Sequence, residues 1–73
     1  MFDYSNLFGL MAKRGITRKD LAEKIGMSRT YLCTILRQGK AMATDVVYRI
    51  ASLLDIKTED IGNYFFVLKV LKD

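Results

Sequence analysis

The chain has no histidine, no proline and a single cysteine, Cys33, and each shortage closes a class of function. Without histidine, the usual general base at neutral pH and the commonest metal ligand are both missing. No paired carboxylates, Gly-rich phosphate loop or cluster of metal-ligating residue types takes their place. Catalysis, a cofactor and a small-molecule ligand are therefore not expected. Asp20 and Glu23 share one helix face, but flanked by Arg18, Lys19 and Lys24 they read as ion-pairing surface residues. One cysteine cannot form an internal disulfide, and the opening MFDYSNLFGLMAKR lacks the basic-then-apolar order of a secretory signal. A reducing cytoplasm is the expected compartment. With no proline and only five glycines there is no visible linker, repeat or low-complexity stretch. No apolar run reaches the ~18 residues of a membrane span, so no membrane partner is expected.

What is present is a small, apolar, well-punctuated chain. Its 73 residues are 51% hydrophobic, enough for one domain that buries roughly 60% of its unfolded surface. Apolar residues recur at helical spacing behind residues that cap helices. Ser5 precedes Leu7, Phe8, Leu10 and Met11, with Gly15 as the stop. Thr17 precedes Leu21, Ala22 and Ile25, with Asp20 placed for a capping box and Ile16 placed to staple onto Leu21. Ser28 precedes Leu32, Ile35 and Leu36, and Gln38–Gly39 ends that helix. Thr44 leads into Val46 or Val47, Ile50, Ala51, Leu53 and Leu54; Thr58 caps a short last helix through Ile61, stopped by Gly62–Asn63. The expected fold is an all-α compact bundle of about five short helices over residues 1–63.

The apolar tail, 64–73, reads two ways. Its aromatic and β-branched residues after Gly-Asn favour an extended strand, while Ile61, Tyr64 or Phe65, Leu68 and Leu71 also fit a helical stripe. It either folds back on the core or makes a dimer contact through Tyr64, Phe66 and Leu68.

Charge is concentrated. Residues 13–40 hold eight basic and two acidic side chains, net +6, whereas the remainder is net −2. This basic stretch coincides with RKDLAEKIGMSRTYLCTILR, Arg18 to Arg37, in which two short helices meet at Gly26 with a small residue, Ala22, at the crossing. That is the pattern of a helix-turn-helix, whose second helix is offered to a DNA major groove. Basic residues on the same segment are the footprint of a phosphate-binding face.

The segments ITRKDLAEKIGMSRTYL and RIASLLDIKTEDI resemble the Cro/C1-type helix-turn-helix family, the lambda-repressor-like DNA-binding domains of phage and plasmid regulators, from about Leu7 to Ile61. The opening MFDYSNL is also similar to that of some small phage Cro-like proteins. The resemblance implies a bundle of about five helices that binds a palindromic operator as a homodimer, and it makes residues 29, 30 and 34 the principal base readers. Two positions depart from the family pattern. Arg18 stands where glutamine is common, keeping a phosphate contact but losing an amide that braces its neighbour, and the Lys40–Ala43 loop lacks the customary proline.

Leu32, Ile35 and Leu36 should turn one face of the third helix inward, leaving Arg29, Thr30, Cys33, Thr34 and Arg37 outward. Arg29 can donate two hydrogen bonds to guanine, worth ~1–3 kcal/mol of discrimination, or hold a phosphate instead. Thr30 and Thr34 can bond weakly to a base or offer a methyl to thymine. Cys33 either meets a thymine methyl or is a plain thiol. Tyr31 reaches a phosphate through its hydroxyl or lays its ring on the second helix. Arg18, Arg37 and Lys40 are candidates for phosphates, as are Thr17 and Ser28 at helix N-termini, where oriented N–H groups seat anions. Lys13, Arg14, Lys19 and Lys24 supply general field or lie solvated. The competing expectation is a protein-interaction module, an antirepressor or antitoxin-like binder, using the same fold.

Overall fold

Left-handed glycines end the first three helices: Gly15, Gly26 and Gly39 have φ of 68°, 73° and 68°. The computed structural model describes residues 1–69. Its helices are α1 (Ser5–Arg14), α2 (Arg18–Ile25), α3 (Arg29–Gln38), α4 (Thr44–Leu53) and α5 (Ile61–Phe65), with one 3₁₀ turn, Thr58–Asp60, leading into α5. This is the expected all-α helix-turn-helix bundle.

The turn between α2 and α3 follows from Gly26. Its N–H bonds to the Glu23 carbonyl at 3.3 Å and the Met27 N–H to the Ala22 carbonyl at 2.9 Å, a Schellman closure that needs a left-handed residue between them. Gly39 is needed for a second reason as well. A Cβ there would stand 2.5 Å from the backbone oxygen of Phe2, so the N-terminal segment lies directly over the end of α3.

Only two of the five expected N-caps cap with a side chain. Thr17 forms the full capping box: its Oγ1 accepts from the Asp20 N–H at 3.1 Å, and its own N–H donates to Asp20 Oδ2 at 3.3 Å. Hydrogen bonding from the Thr17 side chain and from the Thr17 N–H holds the Asp20 carboxyl below the ordinary aspartate value, with Lys24 and Lys19 adding to the effect. Ser28 Oγ accepts from the Tyr31 N–H at a long 3.5 Å. Ser5 is instead the first residue of α1, and its N–H and hydroxyl both donate to Asp3 Oδ1, so the aspartate holds that helix start. Thr44 likewise lies inside α4, one residue past the position expected, with Ala43 as the uncapped boundary. Thr58 opens the 3₁₀ turn rather than capping a helix.

Gly62–Asn63 does not stop the last helix, which runs on to Phe65. Asn6 donates to the Asn63 carbonyl at 2.8 Å, supplying from α1 a partner for an end-of-helix oxygen that has no intrahelical one. No glycine ends α4; Asp55 takes φ 57° and the same closing pattern, with Ile56 N–H to Ala51 O at 2.8 Å. Aspartate tolerates that conformation better than most side chains.

Leu7, Leu21, Leu32, Val47, Ile50, Leu54 and Phe65 are fully buried, and Ala22 is buried where α2 meets α3. Of the alternatives at the start of α4, Val47 faces the core and Val46 is partly covered. The tail divides between the two readings. Tyr64 and Phe65 are helical, with Phe65 in the core; Leu68 is extended, in an antiparallel bridge with Phe2. The part of the tail reading that rests on Val70 and Leu71 lies outside the described residues.

Candidate nucleic-acid interface

The apolar stripe of α3 fixes what the helix shows to solvent. With Leu32, Ile35 and Leu36 buried against the core, Arg29, Thr30, Tyr31 and Arg37 are exposed and Cys33 and Thr34 half-buried. Thus α3 brings together Arg29, Thr30, Cys33 and Thr34 on one outward surface, with Arg37 a turn beyond. Thr34 is less free than the sequence suggests: its hydroxyl donates to the Thr30 carbonyl at 2.9 Å. That leaves its oxygen lone pairs and its methyl to face outward, an acceptor and an apolar contact rather than a donor. Tyr31 is 59% exposed, which suits a hydroxyl reaching outward better than a ring laid on α2.

The two helix N-termini at this surface differ. At α2 the capping box places the Asp20 carboxylate on the Thr17 N–H, so an acid already occupies part of that positive end. At α3 no acidic residue stands in the first turn. The N–H groups of Arg29 and Thr30 there lack intrahelical partners by helix geometry, and the dipole is uncompensated. The α3 terminus is the better anion seat.

Arg18 is not a loose surface cation. Its guanidinium lies 4.6 Å from the centroid of the Phe8 ring, a cation–π contact that orients it across α1. The bracing expected of an amide at this position is replaced by an aromatic face. Lys40 is exposed in the α3–α4 loop, and that loop is held without proline in two ways: Met42 is buried, and the Tyr4 hydroxyl donates to the Lys40 carbonyl at 2.5 Å.

Tyr4 and Arg49 are structural supports that the sequence did not single out. Arg49 Nη1, from α4, donates to the Ile25 carbonyl at 3.2 Å. A cation on the carbonyl end of α2 is a charge-assisted contact favoured by the helix dipole, and it braces the helix-turn-helix from behind. Its partner is 24 residues away, so no local spacing signals it.

Burial raises the Tyr4 phenol above the ordinary tyrosine value of 10.0. The folded chain then holds this proton more tightly than the unfolded chain does. Its contribution to stability is complete below about pH 10 and is lost as pH rises through the folded value. Tyr4→Phe should remove that alkaline component and, at neutral pH, cost about 0.5–1.5 kcal/mol for the lost bond to Lys40. Urea denaturation of both proteins at pH 7 and at alkaline pH measures the two effects separately.

The model of the Cro/C1-type HTH DNA-binding domain matches residues 6–66 of the chain. No curated protein matches it.

Proposed function

The chain belongs to the Cro/C1-type helix-turn-helix DNA-binding domain family, and from that premise we propose a sequence-specific transcriptional regulator, a phage-type or mobile-element repressor that docks α3 in the major groove of an operator. The observation that carries this reading is the make-up of α3: an arginine at the first position of a helix with an acid-free N-terminus, followed by outward Thr30 and Thr34.

In this reading Arg29 reads guanine by a bidentate fork. Thr34, with its hydroxyl proton committed to Thr30, meets a thymine methyl or accepts from an exocyclic amine. Cys33 borders the same bases. Arg18, Arg37 and Lys40 hold phosphates, assisted by Tyr31, Ser28 and Thr17. The protein acts in the cytoplasm. Pairing is two-fold, since one subunit reads too few base pairs for a genome and a second recognition helix about one DNA turn away doubles the site. The exposed Phe66 and Leu68, 51% and 68% accessible, support a dimer contact at the tail with half-buried Tyr64 beside them.

Selection from a randomised duplex pool at about 0.15 M salt, where non-specific binding is weak, tests the reading. Enrichment of a palindrome is expected. Arg29→Ala should then lose about 5- to 150-fold of preference at one position of each half-site while keeping non-specific binding. A soluble, folded protein that enriches nothing would favour the protein-partner module instead.

A further inference from the structure

A cleft of about 370 Å³ opens where the N-terminal ends of α1 and α2 meet the C-terminal end of α3, and Arg18, Arg37 and Lys69 all line it. These three cations lie far apart in the sequence and come from α2, α3 and the tail. Among the described residues Asp3 is the one carboxylate on the lining, and its Oδ1 already accepts the N–H and the hydroxyl of Ser5. The described lining therefore carries an excess of two positive charges, an arrangement that gains from an arriving anion.

One of the cations is held in place, and so is the backbone that carries a second. Arg18 lies over Phe8. The backbone at Lys69 is fixed by the paired chain ends: its N–H donates to the Met1 carbonyl at 3.0 Å, and the Asp3 N–H donates to the Val67 carbonyl at 2.7 Å. The Phe2–Leu68 bridge lies between these bonds, and the Phe2 N–H donates to the Gly39 carbonyl at 2.8 Å, tying the pair to the end of α3. Phe2 and Phe66 add an edge-to-face contact at 6.0 Å. Holding Arg18 and the backbone of Lys69 before binding lowers the entropy lost when a ligand arrives.

We propose that this cleft is a seat for the DNA backbone, and that Lys69, delivered by the paired chain ends, adds a third phosphate contact beside those of Arg18 and Arg37. The inference rests on the DNA-binding reading above and adds to it. The tail then serves DNA binding directly, besides any part in pairing subunits. Because Arg37 sits in the last turn of α3, a phosphate seated here also fixes how far α3 enters the groove. The contact carries no base information, so it strengthens binding to all duplexes alike.

The test is the salt dependence of binding by full-length protein and its Lys69→Ala variant, on the selected palindrome and on a scrambled duplex, between about 50 and 200 mM salt. Lys69→Ala should make the slope of log K against log salt shallower by about 0.9 per subunit on both duplexes. Lys69→Arg should keep the original slope, and so should Lys57→Ala, an exposed cation outside the cleft. Because Lys69 is exposed, both of its variants should melt with the parent. An unchanged slope in Lys69→Ala overturns the proposal, and so does a loss confined to the palindrome, which would mean a base contact. If the parent protein binds neither duplex, the DNA-binding reading fails and the seat with it; a bound parent with an unchanged variant slope sinks the seat alone.

Discussion

Phe65→Ala should destabilise the domain by about 3–5 kcal/mol, the usual cost of emptying a buried phenylalanine site. Phe65 is 1% exposed and, by volume, heads the fully buried side chains. It lies on α5, which packs against α1 and α4. Domains have only about 5–15 kcal/mol of stability, with small ones at the low end, so the variant should be largely unfolded at modest temperature. In urea, where m is about 1 kcal/mol/M for a chain this size, the midpoint should fall by about 3 M or more. The neighbouring Phe66→Ala should cost no more than about 1.5 kcal/mol, the value of an exposed ring with one aromatic partner. Comparable losses for the two would contradict the helical register of α5. A truncation after Asn63 would likewise remove Phe65 from the core, and would measure folding before it measured dimerisation.

Operator affinity should fall about 10⁴-fold between 50 and 200 mM salt. With Arg18, Arg37, Lys40 and Lys69 each neutralising one phosphate, a dimer displaces counterions from about eight, and the slope of log K against log salt is near −7. Without the Lys69 contact the slope is near −5, so the measurement also weighs the tail. Fluorescence anisotropy of a labelled duplex across that salt range gives the slope directly. A slope near −2 would mean that the basic segment is merely solvated and would leave the protein-partner module as the better account. Arg29→Ala separates from this behaviour: it should change which sequence is preferred far more than it changes the slope, because base contacts specify while phosphate contacts position.

The helix-turn-helix was legible because its signals are local. The Thr17–Asp20 box, the Gly26 closure and the Ser28 cap each act within five residues, and the Leu32, Ile35 and Leu36 stripe settles by spacing which face of α3 is outward. Two of the helix ends that differ from expectation trace to a local acceptor other than the expected cap and to a partner distant in sequence. Asp3, not Ser5, receives the donors at the start of α1, and Asn6 meets the carbonyl of Asn63 so that α5 continues past a glycine. A Gly-Asn pair is a stop only when nothing else favours the helix. Here Phe65 needs a helical position to reach the core, and its burial outweighs the local cost of a glycine, about 1 kcal/mol.

By itself, then, the sequence determined the class of fold, the two helices and the turn that present α3, and the residues available on its outer face, since capping, glycine closure and helical period are all short-range effects. Tertiary structure decided the rest. It stacked Arg18 on Phe8, set Arg49 on the end of α2, held the Lys40 loop from Tyr4 and carried Lys69 to Arg18 and Arg37. Each of these joins residues distant in sequence, and whether two such groups meet depends on how the helices pack, which no local spacing encodes.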